Sequence, residues 1–436
     1  MEYLALVAVL MVVLFALLGS GVWVGLALLG VGVAGMEMFT TRPAGDAMAT
    51  TIWGSLSSWT LTALPLFIWM GDVLFRTRLS ADMFVGLAPW MANLPGRLLQ
   101  TNVVGCAIFA AISGSSAATC ATIGKITIPE LRKRNYPEDI AVGSLAGAGT
   151  LGLLIPPSII MIVYGVAADV SISKLFIAGV VPGIMLALMF MVYVGAWALL
   201  HPDKIPPSDL KLSFREKVKA SAGLIPAVLL IALVLGSIYG GIATATESAA
   251  LGVLGALVLS WLQGSLDRKT FMASLLGATR TSAMIMLILA GSAFLSLAMG
   301  FTGLPRELAQ FIRTLDLSPM SLIAMLTVFF IILGCFLDGI SMVVLTMAVL
   351  LPMVQAANID LIWFGIFIVL VVEMAQVTPP VGFNLFVLQG LTGHSIVYIS
   401  RAAFPFFLLM VTAVVLIVAF PGIVTFLPSQ MIPAAR

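Results

Sequence analysis

AISGSSAATC, residues 111–120, sets one glycine, three serines and one threonine inside an apolar run that extends from Leu98 to Leu131. The chain around it has 436 residues, 61% hydrophobic and 9% charged, with a mean hydropathy of +1.16. Soluble globular chains carry roughly 25% charged residues, so this composition belongs to a polytopic membrane protein. A helix needs about 20 mostly apolar residues to cross a bilayer, and about ten such runs occur here. Backbone groups in lipid must be satisfied within their own segment, so continuous apolar runs read as helices and the fold class is all-α. A barrel would show short segments of alternating polarity instead. The run around AISGSSAATC carries Arg97 at one end and Arg132, Lys133 and Arg134 at the other. Positive residues favour the cytoplasmic side, so both ends lie on one face. The polar break at Ser113–Ser116 is then the tip of a re-entrant hairpin.

The same design recurs. Pro129 and Pro352 are 223 residues apart, and so are Pro156 and Pro379, Pro157 and Pro380, and Pro182 and Pro405. LLIPPSIIMIVYG (153–165) matches QVTPPVGFNLFVL (376–388), and each is followed by a Ser-Ile pair, at 171–172 and 395–396. The second hairpin run, from Pro319 to Ala356, breaks near Asp338–Ser341 and has no Lys or Arg between Arg313 and Arg401. It should enter from the opposite face, which makes the halves two inverted-topology repeats. The expected organisation is about ten transmembrane helices plus two re-entrant helical hairpins. Arg76, Arg78 and Arg97 then fall inside, whereas Arg42, Lys174, Arg306 and Arg313 are exceptions outside. The first repeat covers 1–200: scaffold helices 1–75, an interfacial arm 76–96, a hairpin and broken helix 97–168, and a helix 174–200. A cytoplasmic linker, 201–220, leads to the second repeat, 221–436. That repeat holds scaffold helices 221–299, an arm 303–316, a hairpin and broken helix 319–391, and a helix 401–426. The first apolar run opens with Glu2 and has no basic flank or A-x-A site, so it reads as a retained helix.

Interrupted helices at matching positions of two halves point to a transporter binding site. At a hairpin tip Gly114 gives conformational freedom, and Ser115 and Ser116 can cap the following helix. A half-helix starting near Ser116 aims its positive end into the membrane, where an anion suits it. Facing it, GTLGLLIPPS (149–158) has two prolines that lack amide donors and leave carbonyls free. Hydroxyls of Ser113 and Ser115 with carbonyls of Gly152 and Ile155 would make a hard-oxygen site for Na+. In the second half Asp338 could ligate Na+, carry a proton or hydrogen-bond the turn's own amides. Glu373 could be functional or a packing residue, and Asn384 could bind substrate or satisfy backbone. Intramembrane acids are functional candidates by default. Lys125, on the second arm of the first hairpin, could attract a substrate carboxylate or snorkel to the interface. Thr244, Thr246 and Glu247 read as a capped helix start. Asp72 and Asp169 read as caps at helix ends, and His201 and His394 fall at interfaces.

Other classes find little support. A net charge of +2 without a basic block gives no reason to expect nucleic acid. Cys106, Cys120 and Cys335 have no zinc or disulfide spacing. The stretch IGKI (123–126) lacks the glycine and hydroxyl of a nucleotide loop, with Thr119 and Ile126 in their places. H-E-x-x-H and G-x-S-x-G are absent. A membrane-embedded enzyme or assembly factor remains the rival from another class, and a stand-alone Na+- or H+-coupled carboxylate transporter the rival within it.

GSSAATCATIGKITIPELRKRNYP (114–137), GTLGLLIPPSIIMIVYG (149–165) with SISKLFIAGVVPG (171–183), and TPPVGFNLFVLQG (378–390) resemble the large membrane subunit of tripartite ATP-independent periplasmic (TRAP) transporters, the DctM-like family. ALPLFIWMGDVL (63–74) and ATESAALG (245–252) are weaker echoes. Where that family often has A-T-P-T-E, alanine replaces the proline at Thr244-Ala245-Thr246-Glu247. The resemblance implies an elevator-type transporter in the bacterial inner membrane that couples Na+ entry to uptake of a small organic anion, a carboxylate or sugar acid. It implies two partners besides lipid: a small four-helix membrane subunit and a periplasmic substrate-binding protein. It implies no enzyme activity and no cofactor other than Na+ as coupling ion. Its first Na+ site falls on Ser113, Ser115, Gly152, Ile155 and Pro157. Its second falls on the segment of Asp338 and Gly339, with Thr378 and Pro380. The substrate candidates are Ser115, Ser116, Lys125 and Asn384. Gly114 and Gly339 are 225 residues apart rather than 223, so the second tip is out of register with the prolines.

Overall fold

Polar caps and prolines decide where the apolar runs start and stop as helices. Side chains of Ser158, Ser171, Asp267, Asp360 and Ser395 each accept the backbone amide of a following first-turn residue. Ser213 with Glu216 and Thr244 with Glu247 form full capping boxes, so the expected helix start at Thr244 is present. The computed structural model describes residues 2–77, 79–207, 213–303, 307, 310, 319–334, 337–380 and 382–431. The arm expected at 303–316 falls largely outside the described residues, as do Arg78, Arg306, Arg313 and Cys335.

In chain order the helices are α1 (Glu2–Gly19), α2 (Val24–Phe39), α3 (Ala44–Leu56), α4 (Ala63–Arg76), α5 (Leu79–Met91), α6 (Leu99–Ser113) and α7 (Ser116–Lys133). Then come α8 (Glu138–Leu154), α9 (Ile159–Ala167), α10 (Ile172–Leu200), α11 (Phe214–Ala220), α12 (Ile225–Tyr239), α13 (Ala245–Leu262) and α14 (Arg268–Thr302). The remainder are α15 (Pro319–Gly334), α16 (Gly339–Ala356), α17 (Leu361–Gln376), α18 (Phe383–Thr392), α19 (Ile396–Ala419) and α20 (Gly422–Ser429). Among the described residues there is no strand. Among the described residues six helices are long and apolar enough to cross a membrane alone, and up to eight spans result if each of two bent pairs counts as one. The chain is a multi-pass membrane protein.

Two elements differ from the sequence reading. Within the scaffold segment 1–75, residues 36–57 form no continuous apolar run, yet α3 lies there and meets the Trp59–Arg76 segment at a 58° bend. Its polar TT and SLSS content dilutes the hydrophobic signal, while Asp46 in the first turn supports the start. The helix expected at 401–426 begins earlier, at Ile396, and ends at Ala419. Pro421 and Gly422 interrupt it, and α20 follows as a separate turn.

Packing divides the chain into two groups. In one, α14 lies along α2, α3 and α4, with α13 against α4 and α12. Gly25 and Gly291 let α2 and α14 approach closely, for a Cβ on Gly291 would stand 2.4 Å from the Gly25 carbonyl oxygen. In the other group α8 and α17 are central: every residue from Ile140 to Leu154 and from Trp363 to Gln376 is buried. Helices buried on all sides are interior ones. Around them sit the hairpin α6–α7, α9, α10, α15, α16, α18 and α19. The arm helix α5 lies on the linker, where Trp90 donates from its indole Nε1 to Ser221 Oγ at 2.7 Å and stacks edge-on against Phe214.

Candidate functional site

The tip of the first hairpin is built from three consecutive small residues. α6 ends at Ser113, and Gly114 takes φ +62°, a left-handed conformation that closes the helix. A side chain there would also collide, since a Cβ would stand 2.9 Å from the Pro157 carbonyl oxygen. The Gly114 carbonyl accepts the amide of Ile159 at 3.2 Å, so the tip takes up a free amide at the start of α9. Ser115 caps α7 by accepting the amide of Ala118 at 3.4 Å.

Oxygen atoms converge at this tip. Ser113 Oγ and Thr119 Oγ1 are 2.7 Å apart, and Thr119 Oγ1 donates to the Ser115 carbonyl at 2.8 Å. Thr119 was not singled out from the sequence, although it lies one turn beyond Ser115 and so faces the same way. Gly152 of α8 packs directly on this cluster: a Cβ would stand 2.5 Å from the Ser115 carbonyl oxygen and 2.6 Å from Thr119 Oγ1. Two residues past it α8 stops, and the Pro156–Pro157 segment turns the chain by 41° into α9. Ser113, Ser115, Gly152 and Pro157 are thus brought together, with Ile155 as the C-cap of α8 beside them. The peptide bonds Pro156–Pro157 and Pro379–Pro380 are both cis.

The two halves meet here. Ser116 Oγ donates to Asn384 Oδ1 at 2.8 Å, which joins the first tip to α18, the helix after the second double proline. Asn384 is fully buried and lies against Gly149, its Nδ2 donating to the Ala146 carbonyl at 3.5 Å. Across the site Gly339 packs on Val372 and Gln376 of α17 and on Ile160 of α9. Asp338 caps α16, its Oδ2 accepting the amides of Ile340 and Ser341 at 3.1 and 3.2 Å. Thr378 Oγ1 donates to the Met374 carbonyl of its own helix at 2.7 Å. Among the described residues no hydrogen bond joins Asp338 to Thr378 or Pro380. Glu373 is fully buried beside the backbone of Leu153 and Leu154, and neither carboxylate oxygen completes a hydrogen bond.

Lys125 lies apart from these residues. Its ammonium stands 5.1 Å from the centroid of the Phe75 ring, on a cavity shared with α4 and α14. Asp72 pairs with Arg76 at 2.9 Å. His394 reaches Glu138 Oε1 at 3.0 Å.

Residues 11–423 match the family model described as "Tripartite ATP-independent periplasmic transporter, DctM component". The C4-dicarboxylate TRAP transporter large permease protein DctM of Pseudomonas aeruginosa is 31% identical over 386 residues, which is 88% of this chain and 90% of that one. The sialic acid TRAP transporter permease protein SiaT of Haemophilus influenzae is 30% identical over 384 residues, 87% of this chain and 61% of that one. In fold, the chain is similar to the crystal structure of the YdaH transporter of Alcanivorax borkumensis, with a TM-score of 0.68 at 12% identity over 92% of this chain and 97% of that one. With residues 11–423 matched to the family model and a relative 31% identical over 88% of the chain, this chain belongs to the DctM component family of TRAP transporters.

Proposed function

We propose that this chain is the Na+-coupled translocating component of its system, importing a small organic anion across a bacterial inner membrane. The observation that carries the reading is the convergence of Ser113, Ser115, Thr119 and Gly152 at a hairpin tip seated in a helix break. Hydroxyl and carbonyl oxygens suit Na+, and the start of α7 suits the negative charge of a substrate. The relatives named for C4-dicarboxylates and for sialic acid match this chain about equally well, and both substrates carry carboxylates. These relatives support reading the substrate as a small organic anion, a carboxylate or sugar acid.

Each tip sits on its own half's break and touches the helix beyond the other half's break, through Ser116–Asn384 and Gly339–Ile160. That reciprocity supports inverted repeats whose hairpins move together, in the manner of an elevator, against α1–α4 and α12–α14. A periplasmic binding protein would deliver the anion and a small four-helix membrane subunit would complete the assembly. The test is uptake of radiolabelled carboxylates and sugar acids into proteoliposomes under a Na+ gradient, with each partner present or omitted. Uptake that needs Na+ and all three components supports the reading. Uptake by this chain alone overturns the tripartite assignment, and uptake indifferent to Na+ overturns the coupling.

A further inference from the structure

The cavity beside Lys125 is separate from the hairpin tip. It measures about 590 Å3 and is walled by two bodies. α7 contributes Thr122 and Lys125, while α4 contributes Phe75 and Arg76 and the first turn of α14 contributes Lys269 and Thr270. Three cations therefore face one space. The carboxylates nearest them are engaged: Asp72 with Arg76 at 2.9 Å, and Asp267 with the Thr270 amide at 2.7 Å, although Asp267 also feels the charge of Lys269. Among the described residues neither Lys125 nor Lys269 forms an ion pair. Thr122 adds an independent sign. It is 5% exposed, lines the cavity, and its hydroxyl has no hydrogen-bond partner. A buried hydroxyl without a partner, on a residue that lines a cationic cavity, has a donor to offer an anion once its rotamer turns toward that space.

The duplication sharpens the point. An offset of 223 places Ala348 where Lys125 stands, and Ala348 lines a second cavity of about 320 Å3 with Ser292 and Ser296 of α14. Both hairpin arms thus leave a cavity against the other helix group, and the cation stands at one of the two.

We propose that the larger cavity is an anion-binding site that takes a carboxylate or phosphate group between Lys125 and Lys269, with the Thr122 hydroxyl donating to it. An anion held there bridges the hairpin arm and α14. Two sources carry this chemistry, a dissolved small anion and the headgroup of an anionic lipid. The site is read by binding and not by flux, so it stands or falls separately from the transport reading.

The experiment uses the full chain in nanodiscs of phosphatidylcholine, with equilibrium binding of radiolabelled succinate and of inorganic phosphate. In parallel, lipid retained by protein purified from phosphatidylglycerol-containing membranes is weighed by native mass spectrometry. For a dissolved anion, Lys125→Gln and Lys269→Gln each weaken binding about tenfold and Thr122→Val about threefold, with strong salt dependence. For a lipid, neither probe binds, and phosphatidylglycerol retained by the parent protein is lost in the same variants. Lys125→Arg keeps the charge and preserves either signal. Binding or retention that is equal in the parent and all three neutral variants overturns the proposal, and so does a parent protein that holds neither probe nor lipid.

Discussion

Gly152→Ala tests whether the hairpin tip and the broken helix form one unit. The new Cβ would stand 2.5 Å from the Ser115 carbonyl oxygen, 2.6 Å from Thr119 Oγ1 and 2.7 Å from the Ser115 carbonyl carbon. Two of those atoms are backbone in a capped turn, so no rotamer change relieves them. Forcing extra methylenes into a packed site costs about 1–3 kcal/mol, and a backbone obstacle puts this one near the upper end. Each kcal/mol shifts Tm by about 2–4 °C in chains of moderate size, so a fall of several degrees is expected. Gly54→Ala is the control: nothing lies within 4 Å of its Cβ position, and in the last turn of α3 it should be neutral or slightly stabilising. Unfolding is followed by tryptophan fluorescence of purified protein, in Na+ and in choline at equal ionic strength. If Na+ binds the folded tip it raises the Tm of the parent protein, and Gly152→Ala should lose that increment as well as melting lower. A variant that melts with the parent refutes the packing argument. One that melts lower but keeps the full Na+ increment refutes the placement of Na+ at this tip.

Ser115→Ala, which removes a hydroxyl and a cap, should leave folded protein but weaken the Na+ dependence of uptake; normal transport at limiting Na+ would remove Ser115 from the site. Ser116→Ala and Asn384→Ala should show a coupling of about 1 kcal/mol in a double-mutant cycle of thermal stability, and additive effects would mean their 2.8 Å bond carries nothing. Gly71→Ala places a Cβ 2.9 Å from the Ser113 carbonyl oxygen, at the contact between α4 and the hairpin; uptake should fall while the Na+ increment in Tm persists. Glu138 accepts from Arg132 Nε at 2.7 Å and stands 3.0 Å from His394 Nε2. Glu138→Gln should therefore lower the Tm by about 1–3 °C, and an unchanged Tm would show that the cluster adds no stability.

What the sequence made legible was whatever leaves a chemical mark on the chain. Double prolines, serine and aspartate caps and the Gly114 turn each impose a local backbone state, so α6–α9 and α16–α18 fall where their residues say. α3 was hidden because its polar content reads as loop, and its place against α14 is a tertiary matter. Lys125 was grouped with Ser115 and Ser116 through their shared helix. It lies nine residues beyond Ser116, and at 1.5 Å per residue that is roughly 14 Å along α7, out of reach of the tip. Thr119 was overlooked although the 3.6-residue period puts it beside Ser115. The meeting of Ser116 with Asn384, 268 positions apart, has no local signature at all.

The pattern of satisfied groups says which parts can move together. A turn inside a membrane is stable only if its backbone groups find partners within the protein. At the first tip those partners are the Ile159 amide and the Thr119 hydroxyl, and Asn384 bonds the Ser116 hydroxyl beside it; all belong to the hairpin or to helices beside the two double prolines. At the second tip Asp338 holds its own helix's amides while Gly339 rests on α17 and α9. Pulling the first hairpin away from the breaks would strand the Gly114 carbonyl with the Ile159 amide and Ser116 with Asn384, at a cost of about 1–3 kcal/mol for each group buried unpaired, while the second hairpin would lose the packing of Gly339. Contacts with the other group are of a different kind. Gly71 meets the Ser113 carbonyl with no side chain of its own. Among the described residues the Ser292 hydroxyl donates to the Val344 carbonyl at 2.7 Å. A smooth contact with few polar bonds is where relative movement costs least. Under the proposed elevator reading, sliding would occur where α4 and α14 face the hairpins, and the joined tips and breaks would move as one.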